Sequence, residues 1–235
     1  MAVAQNRPNK IADTQGSGGP SRAGSYSEAY TQPISAKELF SADEGSYFVA
    51  ISPTPGTGII GHAAPTTFDE TKPYLLVYNG GQNRIYPQYL RLHDTVVSVG
   101  GARVQFTVCV DTGNRLSSGG TSLTKNNVNM DSAGSSGAVI TAGAVVASAA
   151  TANRRILDHV VFRGTIDVVE DVYEFVFGAA GQGAQVASLP ATVVDATRML
   201  PPVVIGPGHS LLIHQWAAAQ STGPTFQVSF GYIER

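Results

Sequence analysis

Five histidines, His62, His93, His159, His209 and His214, are the residues of this 235-residue chain with the widest chemical reach. A metal or acid–base site would need two or three of them to converge with carboxylates. His209 and His214 are five apart, so on one strand they point to opposite faces and cannot form a same-strand ligand pair. In His93-Asp94 and Asp158-His159 the two side chains also diverge on a strand. The simpler reading is satisfied surface or interface histidines, unless some meet across strands. Paired carboxylates stand at Asp43-Glu44 and Glu170-Asp171, and both read as solvated loop charges rather than as an acid/base pair.

Gly56-Thr57-Gly58-Ile59-Ile60-Gly61 is a literal GxGxxG, the pattern that holds pyrophosphate where a strand runs into a helix. Pro53, Pro55 and Pro65 leave no room for that helix, so the segment is expected to be a turn or strand. No GxSxG elbow occurs; Ser117-Ser118-Gly119-Gly120 reads as a loop. Cys109, the single cysteine, excludes an intrachain disulfide and a Cys-rich zinc site, and its valine neighbours make it a buried hydrophobe. These residues assign no catalytic, cofactor-binding or metal-binding group, and the chain is expected not to be an enzyme and to need no cofactor.

A net charge of -2 gives no field to draw the chain to nucleic acid or an anionic membrane. Hydrophobic residues make up 43%, enough for a large core, whereas charged residues at 14% fall well below the roughly 25% of ordinary soluble domains. A surface so poor in charge points to cover by neighbouring subunits. With no apolar signal region and no run long enough to span a membrane, the protein is expected to be made in a cytoplasm and to stay soluble.

The elements that must position these residues are strands. Val104, Phe106, Val108 and Val110 alternate with Gln105, Thr107, Cys109 and Asp111, and Phe226, Val228, Phe230 and Tyr232 alternate with Gln227, Ser229 and Gly231. Tyr173, Phe175 and Phe177 repeat the period. With further segments at 47–51, 74–78, 85–99, 139–146, 156–166 and 210–216, about eight to ten strands joined by Gly-, Pro- and Ser-rich loops predict an all-β, jelly-roll-like β-sandwich over residues 46–235. Residues 182–198 carry only Val193-Val194 as a strand signal and read as an extended loop. Arg154 and Arg155 open a strand as exposed edge charges.

Two segments precede this body. Residues 34–45 hold a capping box, Ser35 with Glu38 stapled by Ile34 and Leu39, and predict one short helix ending by Gly45. Residues 1–33 form an arm of Gly, Ser, Pro, Gln and Asn with too few apolar side chains for a core of its own. Such an arm gains order by lying on another surface, where the isolated Ile11, Tyr26 and Tyr30 would act as anchors. Arg7, Lys10 and Arg22 make it mildly basic.

The stretch Asp111-Thr112-Gly113-Asn114-Arg115, with Ser118-Gly119-Gly120-Thr121, Asn127-Val128-Asn129-Met130-Asp131-Ser132 and the ending PPVVIGPGHSLLIHQWAAAQSTGPTFQVSFGYIER, resembles virion structural proteins of tailed bacteriophages over residues 70–235. The resemblance implies a jelly-roll or β-sandwich head decoration (cement) protein, a homotrimer on the capsid surface whose partners are the major capsid protein or other virion proteins. Arg7, Lys10, Ile11, Tyr26 and Tyr30 are the contact residues expected of the arm. Three alternatives remain open: a jelly-roll shell protein, a head-fibre or tail module that binds a host receptor or glycan, and an enzyme on a cupin-like barrel. The shell reading suits a more basic arm, and the enzyme reading requires histidines to meet across strands.

Overall fold

The computed structural model describes residues 42–63, 66–98, 100, 104–178 and 193–235, with the backbone of 22–23, 29–30 and 185–188. The chain divides into two units, Met1–Phe40 and Ser41–Arg235. In the first, β1 (Arg22–Ala23) pairs antiparallel with β2 (Ala29–Tyr30), placing Arg22 opposite Tyr30. Arg7, Lys10, Ile11 and Tyr26 lie outside the described residues, as do Ser35 and Glu38 of the capping box. Of the expected helix the described part is its end: Ala42 and Asp43 are helical, and a turn follows in which Gly45 N donates to Ala42 O at 3.0 Å, with Gly45 at φ 71°.

The second unit is all-β among the described residues. Its strands are β3 (Tyr47–Ile51), β4 (Ile59–Ile60), β5 (Leu75–Asn79), β6 (Ile85–Val96), β7 (Val104–Asp111), β8 (Leu116–Ser122), β9 (Thr124–Asn127), β10 (Ala138–Ala147), β11 (Arg155–Arg163), β12 (Val172–Phe177), β13 (Gln185–Ser188), β14 (Val194–Leu200), β15 (Ser210–Trp216) and β16 (Thr225–Glu234). They form two packed sheets. The first runs β11-β7-β15-β5-β10-β8 and the second β13-β14-β12-β6-β16-β3-β9, with β4 added to β16.

Eight strands make the skeleton. In the second sheet the first of them pairs with the last, in the order β3-β16-β6-β12, and in the first sheet the order is β5-β15-β7-β11. The chain changes sheet at most of its connections, so the skeleton is a wrapped, jelly-roll-like sandwich. Strands β8, β9 and β10 are inserted between β7 and β11, and β13 and β14 between β12 and β15.

The period-two segments supply the core. Phe226, Val228, Phe230 and Tyr232 face inward from β16 against Phe106, Tyr173 and Phe175. Phe106 is central, with ring centroids 5.5–5.6 Å from Phe162, Tyr173 and Phe175, within the range at which aromatic pairs attract beyond their buried area. A second cluster, Leu76, Cys109, Val145, Ala147 and Leu212, lies on the outer face of the first sheet. Phe68 and Leu116 pack over it, which explains why β5 and β7 are buried on both faces. Part of the apolar content is therefore spent on this roof. Burial pushes the Cys109 thiol up to about 11, as befits an inert buried hydrophobe.

Several local expectations are corrected. Residues 182–198 are not one extended loop: β13 lies in them and β14 starts there, and β14 pairs in parallel with β12, with Ala196 and Leu200 buried. Its apolar period is weak because few of its side chains, Ala196 and Leu200 with Val194 beside them, turn to the core, and pairing with β12 supplies its backbone bonds. The stretch Ser117-Ser118-Gly119-Gly120 is strand β8 rather than loop. It lacks any apolar period, and pairing with β10 supplies its backbone bonds; Gly119 and Gly120, both at φ 71°, take up the register shift opposite Ala142 and Val145. Among the described residues, no helix is long and apolar enough to cross a membrane.

Candidate functional site

While the first sheet is roofed, the second leaves an open outer face between β3, β6, β12 and β16. Inward positions on these strands are apolar, so alternation sends the polar ones out: Arg91 and His93 from β6, Gln227 and Ser229 from β16. The register sets Gln227 opposite His93 and Ser229 opposite Arg91. These four side chains form a two-by-two array, with spacings of about 4.5–5.5 Å across strands and about 6.5–7 Å along them. On the other side of β6, Val172 stands opposite His93 and Glu174 opposite Arg91.

The array is the floor of a groove of about 470 Å³, within the roughly 300–1,000 Å³ usual for small-molecule sites. Apolar walls come from Ile51, Pro55 and Val172, and Ser52 adds a hydroxyl at one side. At one end His93 Nε2 and Glu170 Oε2 are 2.8 Å apart. Glu170 has φ 76°, a left-handed conformation that costs a non-glycine residue of order 1–3 kcal/mol. The turn is held by Glu170 N donating to Asp94 O at 2.9 Å and Asp171 N donating to Val168 O at 3.0 Å. Past the array, the Tyr89 ring lies over Gly231, where a Cβ would clash with Cε1, and its hydroxyl is 3.3 Å from Ser229 Oγ.

Beneath this end lies a buried carboxyl group of three. Asp171 is not a solvated loop charge: its carboxylate accepts from Arg163 Nη1, Val168 N, Tyr173 Oη and Val194 N at 2.7–2.9 Å. Asp167 accepts from Ser98 N at 2.8 Å and from the Ser98 hydroxyl. Asp94, fully buried beside both, is raised to about 9, chiefly by burial and then by Asp167 and Asp171, so it is a neutral acid at pH 7. This group anchors the turn that presents Glu170. Its partner in the sequence pair thus has a different role: Glu170 lines the groove and Asp171 is structural.

The other sequence candidates fall elsewhere. His214 is buried on the outer face of the first sheet, with its ring 5.0 Å from that of Phe68, and burial lowers it to about 4. His159 and His214 flank Thr107 in the register, but His159 stacks on Trp216 with centroids 5.6 Å apart. Among the described residues, no three His, Cys, Asp or Glu side chains gather as a metal site. Gly56 of GxGxxG stands in a turn at φ 77° with nothing near its Cβ position, while Gly58 and Gly61 serve packing. A Cβ on Gly58 would strike Thr95 and Thr225, and Gly61 N donates to Pro224 O at 2.9 Å. The depression beside this segment, lined by residues such as Pro53, Thr57, Ile60 and Thr121, has no charged lining residue. Arg155 is exposed at the start of edge strand β11, whereas Arg154 pairs with Glu70, and Glu44 pairs with Arg235.

Sequence reading singled out His93 and Glu170 separately and passed over Arg91, Gln227 and Ser229. The available signal was the pair of polar positions alternating with Leu90, Leu92, Phe226, Val228 and Phe230. Comparison with family models, curated proteins and solved structures finds no match to the chain.

Proposed function

We propose that the protein is a non-enzymatic structural subunit of a phage particle, a decoration protein that binds the assembled head through its leading arm and an oligomeric β-body. The observation that carries this reading is the division of the chain into a leading unit, Met1–Phe40, and a self-contained sandwich, Ser41–Arg235. A body with its own core sets spacing around a closed axis, while an extended arm covers much surface with few residues. Binding only the assembled state adds its free energy to shell stability by linkage. The phrases over residues 70–235 that resemble tailed-phage virion proteins support the same reading, as does the low charge of 14%. A shell-forming role fits less well, because Arg7, Lys10 and Arg22 are few for an arm facing genome.

Deletion of residues 1–31 tests it. The truncated body should stay folded and sediment as a trimer of the shortened chain, yet no longer bind heads that lack the protein. Truncated protein that binds heads as the full chain does would overturn the role of the arm. A stable monomer would overturn the trimer.

A further inference from the structure

We propose that the groove on the outer face of the second sheet binds a neutral oligosaccharide. This site is separate from the assembly role above and does not depend on it.

The argument rests on which hydrogen-bonding groups are unspent. Among the described residues, Arg91 and Gln227 have no hydrogen-bond or ion-pair partner, although both line the groove. Arg91 offers a planar fork of donors, and Gln227 offers donors and an acceptor. Carboxylate acceptors stand beside them: Glu170, tied to His93, lines the groove, and Glu174, opposite Arg91 in the register just outside that lining, accepts from Thr197 at 3.2 Å. Ser52, buried at the groove's side, accepts from Val228 N at 2.9 Å and so fixes that wall. Donors and acceptors thus alternate over one surface of a few ångströms' pitch, beside the apolar side chains of Ile51, Pro55 and Val172.

Ligand classes separate on this chemistry. An anion would meet one guanidinium bordered by two carboxylates, which leaves little net attraction. An apolar ligand would strip water from Arg91 and Gln227 and return no bond, a costly exchange. An extended peptide recognised by strand addition needs the backbone groups of a sheet edge, whereas this surface is a sheet face made of side chains. Sugar hydroxyls both donate and accept, and vicinal pairs match the spacing of a guanidinium or carboxylate fork. Their C–H faces suit the apolar walls. The strained Glu170 turn and the buried carboxyl group beneath it hold one wall in place before any ligand arrives, which lowers the ordering cost of binding.

Affinity electrophoresis of the full chain in native gels carrying dextran, laminarin, glucomannan or the anionic polymer alginate tests the proposal. Retardation by at least one of the three neutral polymers is expected. The association constant should fall about tenfold in Arg91→Ala and in Gln227→Ala, the loss of one charge-assisted or good neutral hydrogen bond, with the melting temperature unchanged. No retardation in any neutral gel overturns the proposal. So does retardation in alginate alone, which would mean an anionic ligand, and so does binding that both folded variants keep.

Discussion

Arg163 and Asp171 meet through a single guanidinium nitrogen: Nη1 lies 2.9 Å from each oxygen of the carboxylate. The carboxylate is fully buried and the guanidinium side chain is 14% exposed, so solvent screens the pair little. The same carboxylate also takes the backbone N–H of Val168 and of Val194, joining the 164–171 turn to the start of β14. Asp171→Ala would leave all these donors unmet and is expected to cost about 3–5 kcal/mol. Arg163→Ala should cost less, because backbone and tyrosine donors still satisfy the carboxylate. Urea unfolding of both variants checks the order. Equal losses would show that the ion pair alone carries the effect.

Asp94 makes stability fall with rising pH. Its folded-state value of about 9 lies above the ordinary carboxyl value, so between about pH 4 and 9 the folded state holds a proton that the unfolded chain has released. The contribution is fully present below about pH 4 and is lost progressively until pH passes 9. Asp94→Asn preserves a neutral side chain of the same shape and removes the titration. Melting curves from pH 5 to 9 should therefore show a shallower decline for the variant and a higher melting temperature at pH 8. A variant that follows the wild-type decline would place the titration in another group.

The acid side has a different origin. Burial alone would raise the Asp111 carboxyl, but hydrogen bonds from Thr151 and the Arg115 guanidinium outweigh it and hold the value low. A depressed carboxyl contributes stability above its unfolded value that disappears as pH falls through the folded one. His214, lowered to about 4 by burial, adds to the loss below about pH 6.5, since the unfolded chain takes up its proton first. Arg115 is nearly fully buried and donates to Asp111 Oδ2 at 2.8 Å, Ser148 O at 2.8 Å and Glu70 O at 3.0 Å. Arg115→Lys cannot span all three acceptors and should lose roughly 1–3 kcal/mol at neutral pH. In acid its deficit should narrow, as protonation of Asp111 removes the ion pair from the wild type too. Denaturation at pH 7, and at successively lower pH below the ordinary carboxyl value, measures both.

Gly223 carries a packing constraint that its surroundings in the sequence do not announce. A Cβ there would lie 2.5 Å from His62 O and 2.6 Å from Gly61 C, backbone atoms that cannot swing aside. Gly223→Ala should force β4 and the 61–62 backbone away from β16, at a cost of about 1–3 kcal/mol. Gly164→Ala is the control, because nothing lies within 4 Å of its Cβ position. If both variants melt alike, the close approach is not maintained in solution.

Much of the sandwich was legible because its signal is local. Tyr47–Ile51 and Ser210–Trp216 have the bounds their apolar residues predict, and Val104, Phe106 and Val108 face the core as their alternation requires. Unread strands such as β8 and β14 carry too weak a pattern, since backbone bonds to β10 and β12 supply much of what holds them. The paired carboxylates show the same divide: Glu170 and Asp171 are adjacent, yet one lines a groove and the other is fully buried. Neighbours in sequence predicted only that their side chains part.

By itself, then, the order of residues determined the all-β class, the core-facing side of the main strands and the absence of room for a nucleotide helix after Gly61. Each follows from local periodicity and backbone restriction. Only the tertiary structure decided that one sheet is roofed while, among the described residues, the other carries an open groove, that Asp94 is buried beside Asp167 and Asp171, and that His93 meets Glu170 across 77 residues. Those outcomes depend on strand order and register, which bring together groups too distant in sequence to leave a shared local signature.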